Sequence, residues 1–131
     1  MAANDPIADI ANRGNAELMT GQSHAPLEER AASLRRMTPA LIADLQLYPS
    51  VDGGKQIAAL PGWGCPCMVS RQRPFSGYDG WPVLSEPLQP GDKRAAVPFV
   101  FLSAEGADAM RKAGHFFLWE GRFVGEAVVV G

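Results

Sequence analysis

Apolar and polar residues alternate along several short stretches of the chain, and this alternation predicts β-strands. Between Ala40 and Tyr48, leucine and alanine occupy every second position, whereas Asp44 and Gln46 occupy the positions between them. A similar period of two recurs from Arg94 to Leu102. Because successive side chains of a strand point to opposite faces, each stretch is expected to bury one face and expose the other.

The clearest pattern lies at the end of the chain, from Gly114 to Gly131. Two runs rich in aromatic and β-branched residues flank the short turn Glu120-Gly121, which predicts a β-hairpin. Shorter extended pieces are expected at Gln56–Leu60, Trp63–Arg71 and Trp81–Leu84, separated by turns rich in glycine and proline. Roughly six short strands without long βαβ repeats predict an all-β fold, either a small barrel or a sandwich.

Two further segments have helical patterns. Apolar residues recur at helical spacing from Ser23 to Met37, where Ser23 can cap the first turn and Thr38-Pro39 ends the helix. The segment Ser103 to Ala113 is expected to form a second, inserted helix, with Ser103 as its N-terminal cap and Gly114 at its C-terminal end.

Composition narrows the classes of function. The 131 residues carry 12 basic and 14 acidic side chains, which gives a formal net charge of −2. This charge argues against strong nonspecific binding of nucleic acid but is compatible with a local basic patch. No apolar run approaches the roughly 18–20 residues of a membrane span, and the N-terminus lacks the pattern of a secretory signal. We therefore expect a cytoplasmic protein that does not enter the membrane.

The two cysteines, Cys65 and Cys67, raise three alternatives to simple core packing. They lie too close together for a long-range disulfide framework. A zinc site normally needs four ligands, and only His24 and His115 add soft ligands. Because residues two apart in a strand share one face, core packing is the preferred interpretation. A metal site, a redox role and a nucleophilic cysteine with His115 as its base remain alternatives.

Nucleotide hydrolysis is not expected. The chain has no Gly-x-x-x-x-Gly-Lys-Ser/Thr phosphate-binding loop, and such a loop is what cradles the phosphates in P-loop proteins. We therefore expect no bound nucleotide. With core packing as the preferred interpretation of the cysteines, we also expect no cofactor, no metal and no catalytic residue.

Basic and aromatic residues interleave between Arg71 and Trp81, and a tryptophan between two glycines precedes them. Residues of these types are enriched at protein-binding hot spots, and they also stack on bases in RNA complexes. The structural alternative is that the aromatic rings cover the open end of a barrel while the arginines are solvated. The candidate binding residues are Trp63, Arg71, Arg73, Tyr78 and Trp81.

Four turn motifs occur in a recognisable order along the chain. They are Asp52-Gly53-Gly54-Lys55, Gly62-Trp63-Gly64-Cys65, Pro90-Gly91-Asp92 and the hairpin turn Trp119-Glu120-Gly121-Arg122-Phe123-Val124-Gly125. Their order from Leu41 to Val130 resembles the third, C-terminal β-barrel domain of translation elongation factor Tu. The resemblance implies a six-stranded antiparallel barrel that stands alone, without the GTPase domain. It also implies contacts with transfer RNA or partner proteins and no catalytic residue. An arginine of the family's second turn falls at Gly64 here.

The sequence thus predicts an all-β protein, a small six-stranded antiparallel β-barrel with an N-terminal helix and one inserted short helix. Residues 1–22 are expected to form a mobile tail, 23–37 a helix packed on the barrel, and 38–131 the barrel domain. The predicted function is a non-enzymatic module that binds a protein partner through the loops around Trp63 and Arg71–Trp81. Binding of transfer RNA or another structured RNA is the alternative, and a small thiol enzyme is the second alternative.

Overall fold

Six antiparallel strands close into one barrel in the computed structural model, which describes residues 25–131. This confirms the predicted six-stranded antiparallel barrel. The predicted tail at residues 1–22 and the Ser23 cap lie outside the described residues. The strands are β1 (Leu41–Leu47), β2 (Cys65–Met68), β3 (Gly77–Pro82), β4 (Lys93–Phe101), β5 (His115–Trp119) and β6 (Phe123–Val129). The helices of the described chain are α1 (Ala25–Arg35) and α2 (Ala104–Ala113).

The strands follow the order β1-β4-β3-β2-β5-β6 around the barrel, and β6 pairs with β1 to close it. Closure gives every strand a neighbour on both sides, which removes the unpaired edges that an open sheet would expose. The last hairpin therefore does more than end the chain. Its strand β6 pairs with β1 from Ala43 to Leu47 and completes the ring.

The barrel interior is filled by the apolar faces that the alternation predicted. In β1 the burial alternates along the strand, with Leu41, Ala43, Leu45 and Leu47 pointing inward. Three phenylalanines form the centre of the core: the rings of Phe99 and Phe116 meet edge to face with centroids 5.2 Å apart, and Phe101 lies 6.0 Å from Phe116. Edge-to-face packing at these distances is favourable for aromatic rings.

Strand β3 begins earlier than the sequence predicted. The stretch from Arg73 to Gly80 has the composition of a turn, yet Gly77–Gly80 pairs with β2 residue by residue. Gly80 is required there because a Cβ at this position would lie 2.7 Å from the Phe101 ring. The glycines that suggest a turn therefore also allow a strand to approach the aromatic core closely.

Both helices pack on the barrel. The Oγ of Ser103 accepts a hydrogen bond from the N–H of Gly106 at 3.0 Å and caps α2, and Gly114 ends this helix with a φ of +75°. Helix α1 buries Ala31 and Leu34. The described chain contains no helix with the length and apolar character needed to cross a membrane.

Candidate interaction surface

A cluster of arginine and aromatic side chains covers the outer face of the β5–β6 hairpin. Strand β5 is rich in aromatic residues, and its burial alternates, with Phe116 and Leu118 inside the barrel and Phe117 and Trp119 on the outside. A strand can bury only one face in a barrel of this size, so the second aromatic face remains at the surface. The arginine–aromatic surface consists of Tyr48, Arg71, Arg73, Phe75, Phe117, Trp119 and Phe123.

The rings of this surface contact one another directly. Phe75, in the loop between β2 and β3, lies 5.2 Å from the Trp119 ring and 5.5 Å from the Phe123 ring. Trp119 and Phe123 are 4.9 Å apart across the hairpin, in an edge-to-face arrangement. These centroid distances lie within the range of favourable aromatic pairs. Phe75 therefore ties the arginine-bearing loop to the hairpin.

Two arginines lie on an aromatic floor, which is formed by the rings of Tyr48, Phe75, Phe117, Trp119 and Phe123. The guanidinium carbon of Arg71 is 5.6 Å from the ring centroid of Tyr48, 5.9 Å from that of Phe117 and 5.3 Å from that of Phe123. Arg73 lies 5.3 Å from the ring centroid of Phe75. A guanidinium within about 6 Å of a ring face is attracted by the ring quadrupole. Both arginines remain exposed, so the rings position their charges without removing them from solvent.

A polar network borders the surface. The hydroxyl of Tyr48 donates to Oε1 of Glu126 at 2.9 Å, and Nε2 of His115 lies 2.8 Å from Oε2 of the same carboxylate. Burial raises the pKa of Glu126, but the hydrogen bonds from Tyr48 and His115 and the charges of His115 and Arg71 outweigh it, so the pKa is lowered overall. Burial, followed by the hydrogen bond to Glu126 and its negative charge, raises the pKa of Tyr48 to about 12.

This network predicts how Tyr48 titrates. The chain has two tyrosines, so a Tyr78→Phe background leaves Tyr48 as the only phenol that changes the ultraviolet absorbance. We expect a pKa of about 12 in that background. Glu126→Gln should lower this pKa toward the ordinary value of about 10 without reaching it, because the effect of burial remains.

The contacts of Tyr48 also set the direction in which stability changes with pH and provide a control for Glu126→Gln. A raised folded-state pKa means that the neutral phenol contributes stability below about pH 10, which is lost as the pH rises through the folded-state pKa. Glu105→Gln is the matched control, since Glu105 accepts from Tyr78 and makes no hydrogen bond with Tyr48. An unchanged Tyr48 titration in Glu126→Gln would contradict the network.

The predicted binding residues do not all meet at one place. Arg71 and Arg73 lie on the arginine–aromatic surface, whereas Trp63 is 9% exposed and Trp81 is 4% exposed. Trp81 packs against Leu34 and Val100. Tyr78 is half-buried, and its hydroxyl donates to Glu105 of α2 at 3.0 Å. Trp63 and Trp81 are thus buried within the core or between helix and barrel and lie apart from the arginine–aromatic surface.

Sequence reasoning missed most of the aromatic floor. Phe117 and Trp119 could have been found, because the period of two in β5 places them opposite Phe116 and Leu118. Tyr48, Phe75 and Phe123 carried no such signal. They become one surface because the β2–β3 loop places Phe75 against Phe123 and Arg71 over the Tyr48 ring.

The two thiols belong to the core. Cys65 is 7% exposed, Cys67 is fully buried, and both are free. Burial, followed by interaction with Cys65 and the negative charge of Asp79, raises the pKa of Cys67 well above its ordinary value. A raised pKa disfavours the thiolate that a nucleophile or a metal ligand needs. His115 is exposed and paired with Glu126, whereas Cys67 is fully buried, and the structure gives no hydrogen bond between the two side chains.

Metal ligands do not converge in the part of the chain that the structure describes. No group of three or more His, Cys, Asp or Glu side chains is arranged there to hold an ion. The other histidine considered from the sequence, His24, lies outside the described residues.

Fold and surface together define a class of protein: a small closed antiparallel barrel with an arginine–aromatic face. Neither models of known protein families nor the sequences of curated proteins gave a match to the chain. Because barrels of this kind serve many functions, function has to follow from the chemistry of the surface.

Proposed function

We propose that this protein is a non-enzymatic interaction module that binds a protein partner through the arginine–aromatic surface. The observation that carries the proposal is the position of Arg71, whose guanidinium lies 5.3–5.9 Å from three ring centroids while the residue remains exposed. A cation held in this way keeps its hydrogen-bond donors available to a carboxylate or a backbone carbonyl.

The surface has the composition and rigidity of a binding hot spot. Aromatic residues and arginine contribute most of the energy at many interfaces, especially where they form a cluster that excludes water. Phe75, Trp119 and Phe123 already contact one another in the free protein. Little side-chain entropy therefore remains to be lost on binding. We infer a partner segment that places acidic groups on Arg71 and Arg73 and an apolar side chain on the rings.

Binding of structured RNA is the second candidate, because arginines over aromatic rings also stack on unpaired bases. Kinship with the elongation-factor barrel, which we also put forward as a proposal, agrees with this candidate. Two features favour a protein partner. The formal net charge is −2, and the position of the family's turn arginine is Gly64, where a Cβ would lie 2.2 Å from the Trp81 ring. No side chain can therefore supply a cation there.

A thiol enzyme, the remaining alternative, gains no support from the buried Cys65 and Cys67. We propose that the interaction takes place in the cytoplasm.

The test compares two double variants of equal charge. Arg71→Ala/Arg73→Ala removes the cations of the arginine–aromatic surface, and Arg35→Ala/Arg36→Ala removes two exposed arginines at the end of α1. Partners are captured from the native cell by cross-linking, identified as protein or RNA, and then measured by calorimetry with purified components. We expect a protein whose affinity falls at least about tenfold for the first variant and stays unchanged for the second.

The outcomes separate the candidates. Unchanged affinity of the Arg71/Arg73 variant for its partner would contradict the proposed surface. Recovery of RNA alone, with an affinity that falls steeply between about 50 and about 200 mM salt, would instead establish the second candidate.

A further inference from the structure

A cavity of about 470 Å³ lies between α1 and the barrel. Its volume is in the range of small-molecule sites, which are mostly apolar and contain a few converging polar groups. The larger apolar residues of its wall are Leu27, Ile57, Leu60, Trp63, Pro66 and Trp81. No residue of this wall belongs to the arginine–aromatic surface.

Arg30, from α1, lines this cavity, and one of its hydrogen-bond donors is unpaired. It is 6% exposed, and its Nε has no hydrogen-bond partner in the structure of residues 25–131. A buried polar group without a partner is unfavourable, and a buried charge more so. The planar guanidinium fork matches a carboxylate, with which it forms short, charge-assisted hydrogen bonds.

The second buried cation of the wall, Lys55, already has a carboxylate partner. Lys55 is 7% exposed, its Nζ lies 2.6 Å from Oε1 of Glu120, and it stands 4.9 Å from the centroid of the Trp63 ring. The Nε1–H of Trp63 donates to Oε2 of Glu120 at 2.8 Å. Both carboxylate oxygens are thus occupied, which leaves Arg30 as the cation available to a ligand.

The remaining charges restrict the ligand. Two carboxylates, those of Asp79 and Glu120, also line the cavity. They repel a dianion such as phosphate more strongly than a monoanion, so a single negative charge is the better match for Arg30. The walls formed by Trp63 and Trp81 suit an apolar or aromatic body.

Beside the cavity, the backbone at two glycines lies in close contact with α1 and with the Trp81 ring. Gly62 has a φ of +98°, and a Cβ there would lie 2.4 Å from the carbonyl oxygen of Leu27. A Cβ at Gly64 would lie 2.2 Å from the Trp81 ring. Glycine at both positions lets the loop contact α1 and Trp81 directly, so the wall is held in place by packing.

We propose that this cavity binds a small organic monocarboxylate with an apolar or aromatic body. The carboxylate pairs with Arg30, and the body lies against Trp63 and Trp81. This site is independent of the proposed partner surface, and either can fail without the other.

Phenylacetate is the probe, and the three tryptophans of the chain provide the readout. In nitrogen–proton NMR spectra of the full chain, we expect saturable shifts of the indole signals of Trp63 and Trp81. The signal of Trp119, which lies on the arginine–aromatic surface, should stay in place. The neutral analogue 2-phenylethanol should bind at least about tenfold more weakly, because it lacks the charge that Arg30 recognises.

Arg30→Gln should weaken phenylacetate binding at least about tenfold, and Arg36→Gln, which alters an exposed arginine outside the cavity wall, should leave it unchanged. Equal binding of phenylacetate and 2-phenylethanol would overturn the proposal, and this comparison uses the unaltered chain whether or not Arg30→Gln folds. The absence of saturable shifts would also overturn it. Equal shifts with inorganic phosphate, or nuclear Overhauser contacts that place another segment of the chain in the cavity, would do the same.

Discussion

Replacing Phe116 with alanine is expected to destabilise the barrel by about 4 kcal/mol. Phe116 is fully buried, and its ring meets those of Phe99 and Phe101 at centroid distances of 5.2 and 6.0 Å. Loss of the ring removes the apolar burial and leaves a cavity that the surrounding strands can only partly close. Since small domains have only about 5–15 kcal/mol of stability, much of the reserve would be lost.

The matched control is the next residue of the same strand. Phe117 points outward and is half-buried, so Phe117→Ala should cost about 1 kcal/mol or less. Urea denaturation monitored by circular dichroism measures both changes as shifts of the midpoint. Equal losses for the two variants would contradict the assignment of one β5 face to the core and the other to the surface.

The second large effect concerns the carboxylate that joins Lys55 to Trp63. Glu120→Gln should destabilise the protein by about 2 kcal/mol, because it leaves the ammonium of a 7% exposed lysine without a counter-charge. The half-exposed position of the Glu120 side chain moderates this loss. The new amide oxygen can still accept from Trp63, so the effect isolates the charge on Lys55.

Lys55→Met is the comparison variant, because it removes the buried charge itself instead of its counter-charge. An apolar chain of similar length should fill the same space, and the remaining Glu120 carboxylate can be hydrated. We therefore expect Lys55→Met to cost less than Glu120→Gln, and the double variant to resemble Lys55→Met. Urea midpoints decide the order. A larger loss for Lys55→Met would contradict the prediction that the unpaired ammonium of Lys55 dominates the cost of Glu120→Gln.

The strands that alternate clearly were predictable, and the strand that lacks alternation was placed wrongly. Strand β1 follows its leucines, because burial of one face requires a period of two. Strand β3 contains Gly77, Gly80 and Pro82, which carry no such pattern. It becomes a strand because β2 and β4 offer backbone partners on both sides. That information lies in the neighbours and not in the segment itself.

The candidate surface was only partly predictable for the same reason. Arg71 and Arg73 are conspicuous in the sequence as basic residues in an aromatic loop. Their aromatic floor includes Phe117 and Phe123, which belong to a hairpin far along the chain. Trp63 and Trp81, two of the candidate binding residues, are buried by packing that composition does not reveal.

The closing hairpin and the glycine turns could be located from the sequence alone, because apolar alternation and backbone conformation are local properties. Only the tertiary structure shows what the turns do together. Lys55, Trp63 and Glu120 come from three separate turn motifs and meet through hydrogen bonds of 2.6 and 2.8 Å. The pairing depends on barrel closure, which brings distant segments within hydrogen-bonding distance, and no local pattern encodes that distance.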